Sequence, residues 1–233
     1  MLSVEGLQAA YGASRILFDV ALEIGEGQVV TLLGRNGMGK TTTVRTIMGL
    51  LPAQSGKVQL RGRDVTAAAP EKVARLGVGL VPESRQVFPT LTVRENLVAT
   101  ASNRLKRNNP WTLQRVYEMF PRLRERAGQS SGTLSGGEQQ MLVIGRALMT
   151  NPHLLILDEA TEGLAPVIRR EIWQCLERLK AEGQSILLID KNVEVLKRLA
   201  DHHYVLEKGR TVWSGTSADL ERDSELVHRH VGI

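Results

Sequence analysis

Along the chain, short apolar blocks alternate with longer stretches of helical spacing. VVTLL (29–33) is a short strand, and from Lys40 apolar positions recur at helical spacing as far as Leu50, where GLLP (49–52) supplies a stop. KVQL (57–60) is another strand, closed by the turn-like RGRD. Pro70 suits the first position of a short helix through Leu76, and VGLVP (78–82) reads as strand again.

From about Glu83 to Met149 the pattern is helical. Thr92 and Glu95 form a capping box ahead of VRENLVATA, and Leu113, Val116, Tyr117, Phe120 and Leu123 line one apolar face. Strand chemistry returns at LLILD (154–158), followed by a helix from about Pro166 to Glu182, the strand SILLID, and the hairpin YVLEKGRTVWSG. The pattern is that of an α/β chain interrupted by a helical insertion, with no internal repeat and no low-complexity linker.

Composition narrows the function classes. The 233 residues are 42% hydrophobic and 24% charged, an ordinary globular balance. No apolar run approaches the roughly 18 residues of a membrane span, and MLSVEGLQAA lacks a basic-then-apolar leader pattern, so a cytoplasmic location is expected. The lone Cys175 excludes an internal disulfide; with Ile172, Leu176 and Leu179 at helical spacing, its expected role is packing. His228 and His230 point to different faces of a helix and no HExxH is present, so zinc chemistry is not expected. A net charge of +5 suits an anionic partner. The basic residues are scattered and aromatics make up only 4%, so nucleic acid is not the expected one.

The anion is better placed by GRNGMGKT (34–41), which matches G-x-x-x-x-G-K-[ST] between a strand and a helix. Such a loop wraps backbone N–H groups around phosphates, aided by the helix N-terminus. Candidate nucleotide contacts are Gly34, Arg35, Asn36, Gly37, Met38, Gly39, Lys40, Thr41 and Thr42, with Lys40 reaching the β and γ oxygens and the Thr41 hydroxyl available to Mg²⁺. At the end of LLILDEA, Asp158 suits Mg²⁺ binding and Glu159 suits polarising a water against the γ phosphate. Adjacent acids at a strand end also serve as solvated groups or helix caps; the loop upstream favours the chemical reading.

TLSGGEQQMLVIGRALMTNP (133–152) opens with a second capping box, Ser135 and Glu138, and its helix N-terminus with Gly136 and Gly137 is a second anion site. GRNGMGKT, LSGGEQQ and LLILDEA, in this order, resemble the ATP-binding subunit of an ATP-binding cassette transporter over essentially the whole chain. The resemblance implies a P-loop NTPase (RecA-like) α/β core at about 1–83 and 151–233, with an N-terminal antiparallel β part and a helical subdomain at about 84–150. It also implies ATP and Mg²⁺, and a head-to-tail dimer, with a second copy or a related ATPase subunit. In that dimer Ser135, Gly136, Gly137 and Glu138 of one chain close on the phosphate held by the other. Tyr11 matches the aromatic that stacks on adenine; from local pattern alone a core role is the more usual one, and the resemblance tips the reading toward adenine. DEATEGLAP and VPESRQVFPTLTVRENL look like the subunits of branched-chain amino acid importers and related amide or urea importers. Integral-membrane permeases, met through Val87, Phe88 and Leu91, and indirectly an external binding protein, are the implied partners, with the chain peripheral on the inner membrane face.

Three positions depart from the commonest cassette. Glu83 stands where a glutamine is usual, Ala165 where an aspartate is usual, and Lys191 where a histidine is expected. Glu83 thereby becomes a candidate metal-side carboxylate and Lys191 a candidate catalytic cation offsetting it, about 4 kcal/mol for a pair about 4 Å apart at an effective dielectric of 20, before desolvation. The alternative is a helix cap at Asp190 or Asn192 with Lys191 solvated. Against an energy-coupling ATPase on membrane permeases stand a non-hydrolysing nucleotide-gated module and a soluble cassette acting on nucleic acid or ribosomes.

Overall fold

The computed structural model describes residues 1–223 and 230–231, organised on one sheet of ten strands. In chain order these are β1 (Leu2–Tyr11), β2 (Ser14–Ile24), β3 (Val29–Leu33), β4 (Ala53–Leu60), β5 (Arg63–Asp64), β6 (Val78–Val81), β7 (Leu154–Asp158), β8 (Ser185–Ile189), β9 (His202–Glu207) and β10 (Arg210–Gly215). The helices are α1 (Lys40–Ile47), α2 (Pro70–Arg75), α3 (Val93–Val98), α4 (Leu113–Met119), α5 (Pro121–Glu125), α6 (Gly136–Leu148), α7 (Pro166–Ala181), α8 (Val193–Leu199) and α9 (Ser217–Arg222). His228 lies outside the described residues.

The strand order is β5-β4-β1-β2-β10-β9-β3-β8-β7-β6. From β9 to β6 all pairings are parallel; β1, β2, β4 and β5 pair antiparallel, which is the expected N-terminal β part. The two halves join where β10 meets β2 through Arg210 and Asp19.

The parallel strands are apolar throughout because both their faces are covered. Alternate residues divide between two cores: Val29, Leu33, Leu155, Leu157, Ile186 and Leu188 face α6, α7 and α8, while Val30, Leu32, Ile156, Leu187 and Ile189 face α1 and the antiparallel strands. Val93, Leu97, Val116, Phe120 and Leu123, from the helices between β6 and β7, belong to the first of these cores. Cys175 is buried in it, as its spacing implies.

Two helix boundaries differ from expectation. α1 stops at Ile47, before Leu50. The apolar face from Leu113 to Leu123 is split between α4 and α5, because Pro121 drives Phe120 out of helical geometry, to φ −129° and ψ 77°. Both expected capping boxes form, at Thr92/Glu95 and Ser135/Glu138. Among the described residues no helix is long and apolar enough to cross a membrane.

His203 on β9 is fully buried between the hydroxyls of Thr31, 2.7 Å away, and Ser217, 2.9 Å away. Burial first, then the neighbouring His202, holds its pKa down at about 4, from 6.5. Between those values the unfolded chain binds a proton that the folded chain refuses, so stability falls as pH drops through this window. The loss is about 3 kcal/mol. Denaturant titrations from pH 7 to pH 4 are expected to show this component in the wild type and not in His203→Gln; identical pH slopes would refute it.

Candidate active site

In parallel sheets the carboxyl ends of the strands share one edge, where ligands bind. Register fixes what arrives there: Asp158 pairs with Ile189, Val81 with Leu157, and Thr31 with Leu188. Just beyond these pairs lie Gly34, Glu83, Glu159 and Lys191.

The 34–41 loop turns back on itself through left-handed glycines, with φ 144° at Gly34, 79° at Gly37 and 104° at Gly39. A Cβ at Gly34 would lie 2.4 Å from the Leu206 carbonyl oxygen. The turn between β9 and β10 braces the loop, since Gly209 N–H donates to the Met38 carbonyl at 3.0 Å. Gly209 is itself clasped to β2, its carbonyl accepting from Phe18 and Asp19 N–H at 2.8 and 3.1 Å. α1 begins at Lys40 with no side-chain cap and no acid in its first turn, which leaves its N-terminal amides and their partial positive charge for an anion.

Lys40 is buried, donating to the carbonyls of Gly34 at 2.8 Å and Arg35 at 3.0 Å, with Glu159 Oε1 3.9 Å from its Nζ. Burial lowers its pKa, opposed by the charges of Glu159 and Asp158. Asp158 is buried too, and its Oδ1 has no hydrogen-bond partner among the described residues. Burial raises its pKa, while the Thr41 hydroxyl bonds to it and pulls the other way. A buried carboxylate oxygen without a partner, next to a threonine hydroxyl, is a donor set suited to a hard divalent cation.

Glu159 sits at φ 53°, a left-handed conformation costing a side-chain-bearing residue on the order of 1 kcal/mol. Its N–H donates to the Ile189 carbonyl at 2.9 Å, which turns the carboxyl out of the sheet edge. Its pKa rises to about 7, chiefly through burial and then through a hydrogen bond with Glu162.

Residues 17–162 match the family model for ABC transporters. The chain belongs to the ABC transporter family. Over its whole length the cassette is 41% identical to the high-affinity branched-chain amino acid transport ATP-binding protein BraG of Pseudomonas aeruginosa, covering all of that protein. It is 35% identical to a probable branched-chain amino acid transport ATP-binding protein, LivF, of Archaeoglobus fulgidus, with 100% of this chain and 99% of that one covered. The lipopolysaccharide export ATP-binding protein LptB of Escherichia coli is 31% identical over 99% of this chain and 97% of its own. Among solved structures, the ATP binding subunit of an ABC transporter superposes with a TM-score of 0.85 at 29% identity, covering 97% of this chain and 94% of that one. An ATP-binding cassette in its ADP conformation superposes at 0.81 and 27%, covering 98% and 97%. The chain is therefore an ATP-binding cassette.

The remaining candidates of the cassette fall into separate places. Ser135, Gly136, Gly137 and Glu138 share no hydrogen bond or ion pair with residues 34–42 among the described residues. Glu138 instead accepts from Ser135 N–H and Oγ at 2.9 and 2.7 Å and pairs with Arg126 at 2.5 Å. Gly137 is where α6 meets α7, a Cβ there falling 2.8 Å from Ile168. Tyr11 is exposed, so the core role left open for it is not realised, and its hydroxyl accepts from Arg45 at 3.2 Å. Glu83 is exposed, and its charge raises the pKa of Asp158. Lys191 pairs with Glu162, not Glu83. Asn192 caps α8, accepting from Val195 N–H at 3.4 Å, while Asp190 ties back to Thr161. Sequence reading passed over Glu162 and Gly209; the only signal for Glu162 was its place three residues after Glu159.

Replacing Gly34 by alanine forces a Cβ into the Leu206 carbonyl. Gly34→Ala is expected to weaken ATP binding by roughly tenfold or more and to lower Tm, as read by nucleotide titration and thermal melting. Wild-type affinity and melting would contradict this geometry.

Proposed function

We propose that this chain is the ATP-hydrolysing subunit of an importer for branched-chain amino acids or related amino acids and amides. The observation that carries the reading is the convergence of Lys40, Asp158 and Glu159, with Glu159 3.9 Å from the Lys40 ammonium, at the end of a glycine-wrapped loop. The names of the two branched-chain relatives support the cargo class.

In this mechanism the amides of residues 34–42 and the Lys40 ammonium bind the β and γ phosphates, and Tyr11, held by Arg45, stacks on adenine. Thr41 and Asp158 would hold Mg²⁺, with Glu83 at the rim; bound there, the ion would supply positive charge to offset that of the phosphates. Glu159 Oε accepts the proton of the attacking water, and its raised pKa makes it a stronger proton acceptor than an ordinary glutamate. Ser135, Gly136, Gly137 and Glu138 close on the γ phosphate held by a second copy or a related subunit, which makes hydrolysis depend on pairing.

Permeases dock beside Phe88, which is exposed with the Arg146 guanidinium 4.4 Å over its ring. A cavity of about 510 Å³ opens there, lined in part by Met48, Leu80 and Leu105. On this reading the chain sits on the inner membrane face, with the external binding protein reached only through the permeases.

In liposomes carrying its permeases and binding protein, the wild type is expected to drive ATP-dependent uptake of radiolabelled leucine. Lys40→Ala should reduce uptake by roughly 100-fold or more. Undiminished uptake by that variant, or wild-type indifference to leucine and its relatives, would overturn the reading.

A further inference from the structure

We propose that Glu162 is a positioning residue for the hydrolytic step, holding the Lys191 ammonium beside the Glu159 carboxyl. The inference deepens the hydrolytic reading above and rests on Glu159 as the base. It begins with how two loops are fastened together. Asp190, buried, accepts from the Thr161 hydroxyl at 2.5 Å with one oxygen and from Asn192 N–H at 3.0 Å with the other. The β7–α7 loop is thereby locked to the β8–α8 loop one residue before Glu162 and one residue before Lys191.

From these fixed backbones the two side chains meet across the gap as an ion pair. Each side chain is 49% exposed, and an ion pair so exposed adds little to stability. What the pair does accomplish is geometric. A lysine ammonium rides on a flexible four-carbon stem, and Glu162 fixes where it stands. Glu162 also lies in the same turn as Glu159, its N–H donating to the Glu159 carbonyl at 3.3 Å. Glu159 thus has the Lys40 ammonium 3.9 Å from its carboxyl, while Glu162, in the same turn, holds the Lys191 ammonium. Lys191 then has a defined position from which to meet charge developing on the γ phosphate, a position otherwise left to a mobile side chain.

Phosphate release at saturating Mg-ATP should be measured for the wild type, Glu162→Gln, Lys191→Gln and the double variant. Each single change is expected to lower kcat about five- to twentyfold with KM for ATP unchanged and Tm unmoved. The double variant should match the singles, because either change removes the same positioned cation. Additive losses, an unchanged kcat in Glu162→Gln, or losses that track falling Tm would overturn the proposal while leaving Glu159 as base. Absence of phosphate release from the wild type would overturn the hydrolytic reading and this proposal with it.

Discussion

The site depends on the in-register parallel pairing of β7 with β6 and β8. Because Leu157 lies against both Val81 and Leu188, the three strands end within a residue of one another, and Glu83, Asp158, Glu159 and Lys191 gather at one edge. A slip of one residue would send Leu155 and Leu157 to the opposite core and turn Asp158 away from Thr41. The two apolar clusters, packed on opposite faces, make that slip costly. The chemistry at the edge is therefore held by burial several residues away from it.

A second constraint is the hairpin of β9 and β10. Its turn clasps β2 on one side and the Met38 carbonyl on the other, so the antiparallel strands and the phosphate loop are set relative to each other through Gly209. A Cβ at Gly209 would fall 1.9 Å from the Ile16 carbonyl oxygen, closer than any side chain allows. Tyr11, at the end of β1, is placed by the same antiparallel part and reaches α1 through Arg45. The strand end carrying Tyr11 and the 34–41 loop are thus tied together by the Gly209 backbone contacts and the Tyr11–Arg45 hydrogen bond.

What could be read in advance was whatever the chain encodes contiguously. The β3 and β7 strands, both capping boxes and the glycine-rich loop are local patterns, and each forms where the pattern lies. The break at Phe120 was also encoded, by Pro121, but the apolar spacing on either side of it reads as one helix. Lys191 is the instructive case. Its place at the sheet edge follows from the strand before it, whereas its partner depends on which side chain the β7–α7 loop presents, and that is set by Asp190 bridging two loops 29 residues apart. No local pattern distinguishes Glu162 from Glu83 as that partner. Cargo is illegible for a different reason: relatives at 41% and 31% identity are named for amino acid transport and for lipopolysaccharide export.

The central claim is that Glu159 serves the chemical step while the loop around Lys40 binds nucleotide. Calorimetric titration of Glu159→Gln with Mg-ATP, paired with single-turnover phosphate release, tests it most directly. The account predicts ATP affinity within about threefold of wild type and hydrolysis slowed by roughly 100-fold or more. Hydrolysis by Glu159→Gln at the wild-type rate would contradict it.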